Sequence, residues 1–578
     1  MKKLKMALSL ILSAIVIFSS MAIGGMFASA DDAVTYDFDS TTGTLTISGK
    51  GEVTQREVSD KVTDSSALKS VVINDGITSI GESAFEGFEN LTSVAIPNTV
   101  KSIGEYAFYY CKALTAVNIP DGVTEIGEAT FYCCQKLDSI TIPGSVKSIG
   151  VDAFYYCSGL KTVIIDEGVT SIGAGAFYYC EALTSLNIPN TVKSIGEYAF
   201  YYCKALTAVN IPDGVTEIGE ATFYYCQKLD NITIPSSVKS IGEEAFDSCS
   251  GLKTVTINEG VTSIGRSAFD GCVALQSLVI PNTVTSIGRY AFWGCSNLES
   301  VTFSEGSNLE RIGSGAFRSC TSLASISIPE GVTLIDSRTF NNCTALKEVT
   351  IPKNVTTIDY YAFYGCSNLE SVTFSEGSNL EYIGDSAFYN CTSLAKIDIP
   401  DGTETIAWGA FKGCTSLTEI TIPDSVTRIG EEVFEDTQFY KDTNNWDEGS
   451  LYIGNYLIDV TIDNDNVLAE YSVKDGIIGI AEGAFSSCYG PVTLKIPASV
   501  KYLDEDSIYS DYIENIVVDE NNKNFASVDG VLFTKDMKKI VRYPKNKEAK
   551  SYIIPSTVEN IGSCAFAYNE YIEEITIY

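Results

Sequence analysis

Apolar residues recur along most of this chain with a period of 23 residues, far longer than the period of a single helix or strand. Sixteen contiguous units run from Ala84-Phe85 to Val433-Phe434. The positions shared by the units are, in one copy, Ile96, Pro97, Val100, Ile103, Gly104, Ala107, Phe108, Cys111, Leu114 and Val117. Three interrupted units follow at Ala484-Phe485, Ser507-Ile508 and Ala565-Phe566. A repeat of this kind predicts a solenoid whose stacked units share one core.

Each unit contains the signals for one strand, one turn and one short helical turn. Val117 and Ile119 alternate with polar residues, which is typical of a strand, and Pro120 ends it because proline has no N–H for the ladder. Asp121-Gly122 then predicts a turn, and "EATFY" with an inward Phe131 is long enough for about one helical turn. We therefore predict an α/β solenoid with a parallel β-sheet on one face and short helical turns on the other.

The period is broken twice, and both breaks predict inserted β-hairpins. The second contains "VDGVLFTKDMKKIVRY", which alternates around a polar turn. Two readings of the insertions stay open: recognition elements on a rigid scaffold, or structural flaps over a coil edge. The expected organisation is a signal peptide at 1–30, an N-terminal cap at 31–72, the array at 73–437, an insertion at 438–473, two further units at 474–518, an insertion at 519–551 and a terminal unit at 552–578.

The N-terminus has the pattern of a secretory signal. Lys2, Lys3 and Lys5 precede an apolar run, and Ala28-Ser29-Ala30 offers a small-residue cleavage site. An uncleaved membrane anchor is the alternative. No later apolar run reaches the length of about 20 residues that a membrane span needs. We expect an exported mature protein that is secreted or associated with the cell surface and does not insert into the membrane.

Composition excludes several kinds of chemistry. The formal net charge is −35, which repels nucleic acid and anionic lipid. There is no histidine, so Ser-His and Cys-His catalytic pairs and His-ligated metal sites are excluded. Paired carboxylates can act without histidine, but no pair stands out in the sequence. We predict no enzyme activity, no catalytic, metal or cofactor-binding residues, and no cofactor.

Fifteen of the 17 cysteines fall in one register of the repeat, from Cys111 to Cys488, and only Cys133 and Cys564 lie outside it. Three readings compete: disulfides between coils, a metal site, and buried thiols that pack as small hydrophobes. Metal binding would favour C-x-x-C clusters, which the chain lacks. The same register holds Phe88, Thr437, Asp511 and Asn569 in units next to an end or an insertion. Such varied replacement favours buried free thiols.

Other candidate features have mostly structural explanations. The outward strand positions carry small uncharged residues such as Ser139 and Thr141, without an aromatic platform for sugars. Tyrosines cluster beside the helical turn instead, at Tyr109-Tyr110, Tyr155-Tyr156, Tyr178-Tyr179 and Tyr201-Tyr202. Packing between coils is the simpler role, and an interface is the alternative. "DNDN" at Asp463–Asn466 hints at calcium but lacks the glycine and distal glutamate of an EF-hand loop.

The motif L-x-x-V-x-I-P followed by I-G-x-x-A-F-x-x-C resembles the BspA-like leucine-rich repeat of bacteria, from about Leu68 to Tyr578. "GTLTISGKGEV", Gly43 to Val53, resembles the N-terminal cap of that family. The common leucine-rich pattern places Asn or Cys eight residues after the first leucine, where this chain has Gly122 after Leu114. The resemblance therefore implies a solenoid without the usual asparagine ladder.

The resemblance also implies a function. BspA-like proteins are associated with adhesion to host extracellular-matrix proteins such as fibronectin and with coaggregation of bacteria. We therefore expect extracellular protein partners: host matrix or cell-surface proteins, or other bacteria. The alternative is a structural spacer or surface component that assembles through its C-terminal end, because the final "EEITIY" stops on a strand without a polar cap.

Overall fold

The computed structural model describes residues 33–462, 469–489, 492–503 and 506–577. The predicted signal peptide and the "DNDN" stretch lie outside these residues. The chain forms a stack of coils in which each unit pairs in register with its neighbour 23 residues later, as Ser139 does with Thr162. Neighbouring units pair in parallel within successive sheets along the array, and the predicted solenoid is confirmed.

The first row of strands follows the predicted strand of each unit. It begins with the antiparallel pair Thr35–Asp39 and Thr44–Ser48, and all later pairs in the row are parallel. Its further strands are Ser70–Ile73, Ser93–Ala95, Ala116–Val117, Ser139–Ile142, Thr162–Ile165, Ser185–Leu186, Ala208–Val209, Asn231–Ile234, Thr254–Ile257, Ser277–Ile280, Ser300–Phe303, Ser325–Ser327, Glu348–Ile351, Ser371–Phe374, Lys396–Asp398 and Glu419–Thr421. Valine and isoleucine side chains point inward, and serine and threonine point to solvent.

A second row of short parallel strands was not predicted. It is built mainly from the isoleucine of each Ile-Gly step and the residue before it, which is often serine, so most of its strands are only two residues long. Its members are Gly51–Val53, Ile77–Ile80, Ser102–Ile103, Glu125–Ile126, Ser148–Ile149, Ser171–Ile172, Ser194–Ile195, Glu217–Ile218, Ser240–Ile241, Ser263–Ile264, Ser286–Ile287, Arg311–Ile312, Leu334–Ile335, Thr357–Ile358, Tyr382–Ile383, Thr405–Ile406 and Arg428–Ile429. Each coil is thus strand, turn, short strand and a turn segment that closes the coil.

The prediction of a short helical turn in each unit was wrong, because the segments that close the coils, "EATFY" among them, are built from β-turns. Between residues 73 and 437, all of which the structure describes, no residue lies in an α- or 3-10 helix. Elsewhere the described helices are the α-helices Gln55–Lys61 and Gln438–Lys441 and the 3-10 helices Ser65–Ala67 and Thr443–Asn445. No described helix is long and apolar enough to cross a bilayer.

The two insertions form the predicted hairpins. The first pairs Ser450–Ile453 with Tyr456–Val460, and the second pairs Val531–Thr534 with Phe525–Val528 and Lys539–Arg542. The last strand of each insertion then pairs in parallel with the next short strand, Gly479–Ile480 or Asn560–Ile561. Each hairpin therefore re-enters the second row. The remaining strands are Trp446–Asp447, Glu470–Ser472, Thr493–Ile496, Asn515–Val518, Ser551–Ile553 and Glu574–Thr576.

A column of stacked phenylalanines forms the centre of the core. From Phe85 to Phe434 the rings of successive units lie 5.1–5.8 Å apart, with interplanar angles of 17° or less. Ring stacking at this spacing adds to the burial free energy of each side chain. Because each ring packs only on rings of adjacent coils, stability comes from the stack and not from any one unit.

Candidate protein-binding surface

The turn segments have a repeating backbone that pushes two side chains per coil outward. Ala107 N–H donates to Gly104 O within its own turn at 3.4 Å, whereas Phe85 N–H donates to Ala107 O in the next coil at 2.8 Å. Tyr106 and Tyr110 take the left-handed conformation, with φ of 56° and 60°. This alternation of turn and inter-coil bonds satisfies the backbone without a helix.

The cysteines of the register lie inside this turn, not on it. All 17 cysteines are free thiols, and every one except the partly exposed Cys564 is buried. Burial raises the pKa of most of these thiols, to about 12 at Cys366 for example. A neutral buried thiol is neither a nucleophile nor a metal ligand. The interpretation as buried free thiols is confirmed.

Each thiol also makes a specific contact that the sequence did not reveal. Cys134 Sγ donates to the carbonyl oxygen of Phe108 in the preceding coil at 3.4 Å, and Cys488 makes the same bond to Val460 O at 3.2 Å. The other thiols in the register bond to the core phenylalanine of the preceding coil in the same way. A polar residue replaces the thiol next to the first insertion, where Thr437 Oγ1 donates to Phe434 O at 2.7 Å.

Six tyrosines on the outside of the turn segments form one continuous stack, which we call the tyrosine ladder. Its members are Tyr109, Tyr132, Tyr155, Tyr178, Tyr201 and Tyr224. Neighbouring ring centroids are 4.4–4.7 Å apart, and the four pairs from Tyr132 onward are within 6° of parallel. All six rings are half-buried, so their edges stay open to solvent. The tyrosines therefore both pack between coils and form a surface.

A second, outer set of tyrosines lies beside the ladder, one residue further along each turn. Tyr156, Tyr179, Tyr202 and Tyr225 stack in sequence at centroid distances of 5.3, 4.6 and 4.4 Å. Tyr156 is 38% exposed. These four residues are in the left-handed conformation, in the register where other units place glycine, serine or asparagine. The left-handed conformation costs free energy for a residue with a side chain, and smaller residues fit this position in other units. Tyrosine occupies it here nevertheless, and its rings form a surface that is both apolar and able to hydrogen-bond.

Several phenol groups on this face of the molecule have a raised pKa. Burial raises the pKa of Tyr224 to about 12, with the carboxylate of Asp247 adding to the shift. Tyr106 OH donates to Glu128 Oε1 at 2.6 Å, and that bond raises the pKa of Tyr106 to about 12. Tyr198 OH makes the equivalent bond to Glu220. The surface is therefore a row of hydrogen-bonding phenols with carboxylates on its flank.

Beyond Tyr224 the ladder position changes from tyrosine to aspartate. Asp247 and Asp270 take this place in the next two coils. Burial raises the pKa of Asp247 to about 6, opposed by the 2.7 Å bond from Ser248 Oγ, and burial together with the charge of Asp247 raises the pKa of Asp270 to about 7. The two aspartates therefore end the stack of phenol rings.

The first strand row offers less specific chemistry. Its outward residues are small, and ion pairs such as Lys161–Asp138 and Lys253–Asp230, both with N–O distances of 2.7 Å, link neighbouring coils along its edge. Exposed pairs of this kind add little stability. Among the described residues, no group of three or more Cys, Asp or Glu side chains is placed to hold a metal ion.

Comparison with known proteins identifies the repeat. The chain matches the BspA type leucine rich repeat region in six copies, over residues 56–184, 170–299, 262–377, 310–441 and 543–578. No curated protein sequence matched. A leucine-rich repeat protein from Bacteroides ovatus is 30% identical, with 71% of this chain and 92% of that chain covered and a TM-score of 0.46.

A second solved structure, described as a leucine rich cell surface protein from Faecalibacterium prausnitzii, is 28% identical. It covers 61% of this chain and 96% of its own, with a TM-score of 0.34. The repeat matches extend over more than half of the sequence, and the stacked coils, phenylalanine column and thiol register account for the shared motif. The chain belongs to the BspA-type leucine-rich repeat proteins.

Proposed function

We propose that this chain is a secreted or cell-surface protein that binds other proteins through the tyrosine ladder and its outer tyrosines. The observation that carries the proposal is the continuous, half-exposed stack of phenols across six coils. Tyrosine supplies large contact area and hydrogen bonds at low entropic cost, and it is enriched at protein interfaces. The expected partners are host extracellular-matrix proteins, host cells or other bacteria, and the protein acts without catalysis.

The proposal draws support from the family and from the rigidity of the scaffold. The Faecalibacterium relative is described as a cell surface protein. The ladder rests on turns that are cross-linked by inter-coil backbone bonds such as Tyr110 N–H to Tyr132 O at 2.8 Å. A surface held in this way loses little conformational entropy on binding, which favours affinity.

The test compares the purified mature protein with a triple variant, Tyr156→Ser, Tyr179→Ser and Tyr202→Ser. Serine is compatible with the backbone because Ser248 and Ser319 take the same left-handed conformation in their own units, with φ of 58° and 60°. Binding to immobilised matrix proteins, host cells and other bacteria is measured. Since interface tyrosines are frequent hot spots, the triple variant should lose binding by about tenfold or more.

The matched control removes two stacked tyrosines elsewhere on the turn face. Tyr364 and Tyr389 stack at 5.2 Å but lie outside the ladder, and Asn341 occupies their register in its own unit. Tyr364→Asn with Tyr389→Asn should leave binding within about twofold. If the unaltered protein binds none of the matrix proteins, host cells or bacteria, the proposed function is wrong.

A second candidate function, self-assembly as a structural surface component, is favoured by the terminal coil. Ile553 and Ile577 are 59% and 68% exposed there, together with Tyr568 at 70%. The test is light scattering of the intact protein and of the double variant Ile553→Thr with Ile575→Thr. The control is Val279→Thr, because Val279 is 55% exposed but lies in the middle of the array. Self-assembly predicts that the intact protein and the Val279→Thr control form oligomers and that the terminal double variant is a monomer. If the intact protein is a monomer at every concentration, self-assembly is wrong.

A further inference from the structure

Three arginines in three successive coils have no acidic partner among the residues that the structure describes, although the chain carries 74 Asp and Glu against 39 Lys and Arg. Arg289, Arg318 and Arg338 follow one another on the turn face, in coils whose core rings are 5.4 and 5.8 Å apart. Arg266, one coil earlier, pairs with Glu243 and Glu244. Within the part of the chain that the structure describes, none of the three arginines lies in an ion pair.

Aromatic rings hold these arginines in place. The guanidinium carbon of Arg289 lies 4.5 Å from the centroid of Tyr290, and that of Arg318 lies 5.4 Å from Trp293. Arg338 lies 4.7 Å from the ring of Tyr360. Cation–π contacts stabilise the arginines while their in-plane N–H groups stay free for a ligand.

The hydrogen-bonding capacity of the arginines is largely unused. Arg289 Nη2 donates to Tyr290 OH at 2.9 Å, and Arg338 Nη1 donates to Tyr360 OH at 3.1 Å. The Nε atom of Arg318 is buried and has no hydrogen-bond partner. A guanidinium has five N–H donors, so each of the three retains donors for an incoming acceptor.

We infer that Arg289, Arg318 and Arg338, together with Trp293 and Tyr360, form a docking site for a carboxylate-rich segment of a partner protein. This inference deepens the proposed function, on which it rests, by naming the chemistry of the partner. Charge complementarity supports it: carboxylates accept paired hydrogen bonds from the planar guanidinium fork. The rings beside the arginines, 37% exposed at Trp293 and 38% exposed at Tyr360, exclude water from those bonds.

A protein segment fits this site better than the other anionic partners. Arginine, tryptophan and tyrosine together are the residues that dominate protein–protein hot spots. A nucleic acid or a highly sulfated glycan would bring a long, dense anionic chain against a surface whose net charge is −35. A second copy of the whole chain meets the same repulsion over a larger area. A short acidic segment places its carboxylates on the arginines with less repulsion.

The experiment measures binding of a fluorescent twelve-residue oligoglutamate peptide to the full mature protein by anisotropy, with oligoglutamine as the neutral control. The test variant carries Arg289→Gln, Arg318→Gln and Arg338→Gln. The matched control carries Lys161→Gln, Lys253→Gln and Lys550→Gln, which removes the same charge from residues that are already paired with Asp138, Asp230 and Glu573. General repulsion is therefore equal in both variants.

We expect the unaltered protein to bind oligoglutamate and not oligoglutamine. The affinity of the arginine variant for oligoglutamate should fall by about tenfold or more, whereas that of the lysine variant should stay within about twofold of the unaltered protein. Replacing the three arginines with lysine should cost about threefold or more, because the charge remains but the planar fork is lost. Arg318 is partly buried, so the double variant Arg289→Gln with Arg338→Gln is measured as well and should show an intermediate loss.

The inference is overturned if the unaltered protein does not bind oligoglutamate, or if the arginine and lysine variants bind it with equal affinity. Stronger arginine-dependent binding of dextran sulfate than of oligoglutamate, or an arginine-dependent dimer in light scattering, would overturn it as well. Binding of the same proteins to matrix proteins, host cells and bacteria separates this failure from that of the proposed function. If the unaltered protein binds those targets but not oligoglutamate, only the carboxylate site is wrong.

Discussion

Cys111 Sγ donates a hydrogen bond to the carbonyl oxygen of Phe85, 3.1 Å away in the preceding coil. The donor and the acceptor belong to neighbouring units, so this bond joins two coils through a side chain. Both side chains are fully buried. One small side chain per coil thus fills the core beside the phenylalanine column and links the backbone of two coils.

This double role predicts the outcome of two substitutions at Cys203, whose thiol donates to Phe177 O at 3.3 Å. Cys203→Ala removes the sulfur from a filled core and should lower the free energy of unfolding by about 1–2 kcal/mol. Cys203→Ser should recover part of that loss, since a hydroxyl keeps the donor. The measurement is urea unfolding followed by circular dichroism.

Cys564→Ala is the control for that series. Cys564 is partly exposed, so its removal should change stability by less than about 0.5 kcal/mol. If Cys203→Ser is as unstable as Cys203→Ala or worse, the thiol acts by packing alone and the hydrogen bond contributes nothing.

The burial of the thiols predicts a sharp contrast in reactivity. In the native protein at about pH 8 a thiol reagent should label Cys564 rapidly and the other cysteines only slowly, because buried thiols with raised pKa values form little thiolate. After unfolding without a reductant, all 17 thiols should react. Mass spectrometry of peptides counts the labels, and a count of one or three in the unfolded protein would mean that disulfides exist.

The tyrosine ladder should contribute to stability as well as to binding. Tyr178 stacks on Tyr155 and Tyr201 at 4.5 and 4.4 Å, so Tyr178→Ala breaks two ring contacts and should cost about 1–3 kcal/mol. Tyr178→Phe keeps both rings and should cost less than about 0.5 kcal/mol. Thermal unfolding of the two variants decides whether stacking or the phenol oxygen matters. Equal losses in both would show that the hydroxyl group, and not the stack, holds the coils together.

The features that depend on repeated apolar side chains could be predicted from the sequence. The first strand row, the inward phenylalanines such as Phe131 and the buried cysteines follow from the 23-residue pattern, because the same position in every unit faces the same core. The hairpin around Val531–Thr534 was also predictable, since its alternation is that of an ordinary strand pair.

The second strand row and the true form of the turns were not predictable in the same way. A strand of two residues such as Ser148–Ile149 is too short to show a period. The left-handed turn position carries glycine at Gly294 but tyrosine at Tyr202, with φ of 70° and 60°. Only a comparison of the two units in space shows that both have the same backbone.

The binding surfaces were predicted only in part. The paired tyrosines pointed to packing between coils, but Tyr132 and Tyr224, in the same register, complete a ladder that only the stacked rings reveal. The arginine site was missed because Arg289, Arg318 and Arg338 occupy three different positions of their units. No linear period connects such residues, and the fold brings them to one face.

The two aspartates that end the ladder predict a dependence of stability on pH. Burial raises the pKa of Asp247 to about 6, and burial plus the charge of Asp247 raises the pKa of Asp270 to about 7. Both carboxyl groups therefore hold their protons more tightly in the folded chain than in the unfolded chain, where the pKa is 3.8. Their contribution to stability is largest below about pH 4 and is lost as the pH rises to about 7.

The double variant Asp247→Asn with Asp270→Asn should therefore have a free energy of unfolding at about pH 7.5 that is higher by on the order of 1 kcal/mol. The expected gain is modest because both side chains keep some solvent contact. The gain should shrink toward about pH 4, where the aspartates are protonated in both states. Asp230→Asn is the control: its carboxylate pairs with Lys253, which lowers its pKa, so this substitution should not stabilise the protein at about pH 7.5. Urea unfolding at several pH values measures all three proteins. A gain that is equal at about pH 4 and pH 7.5 would assign the effect to packing instead of to the buried charges.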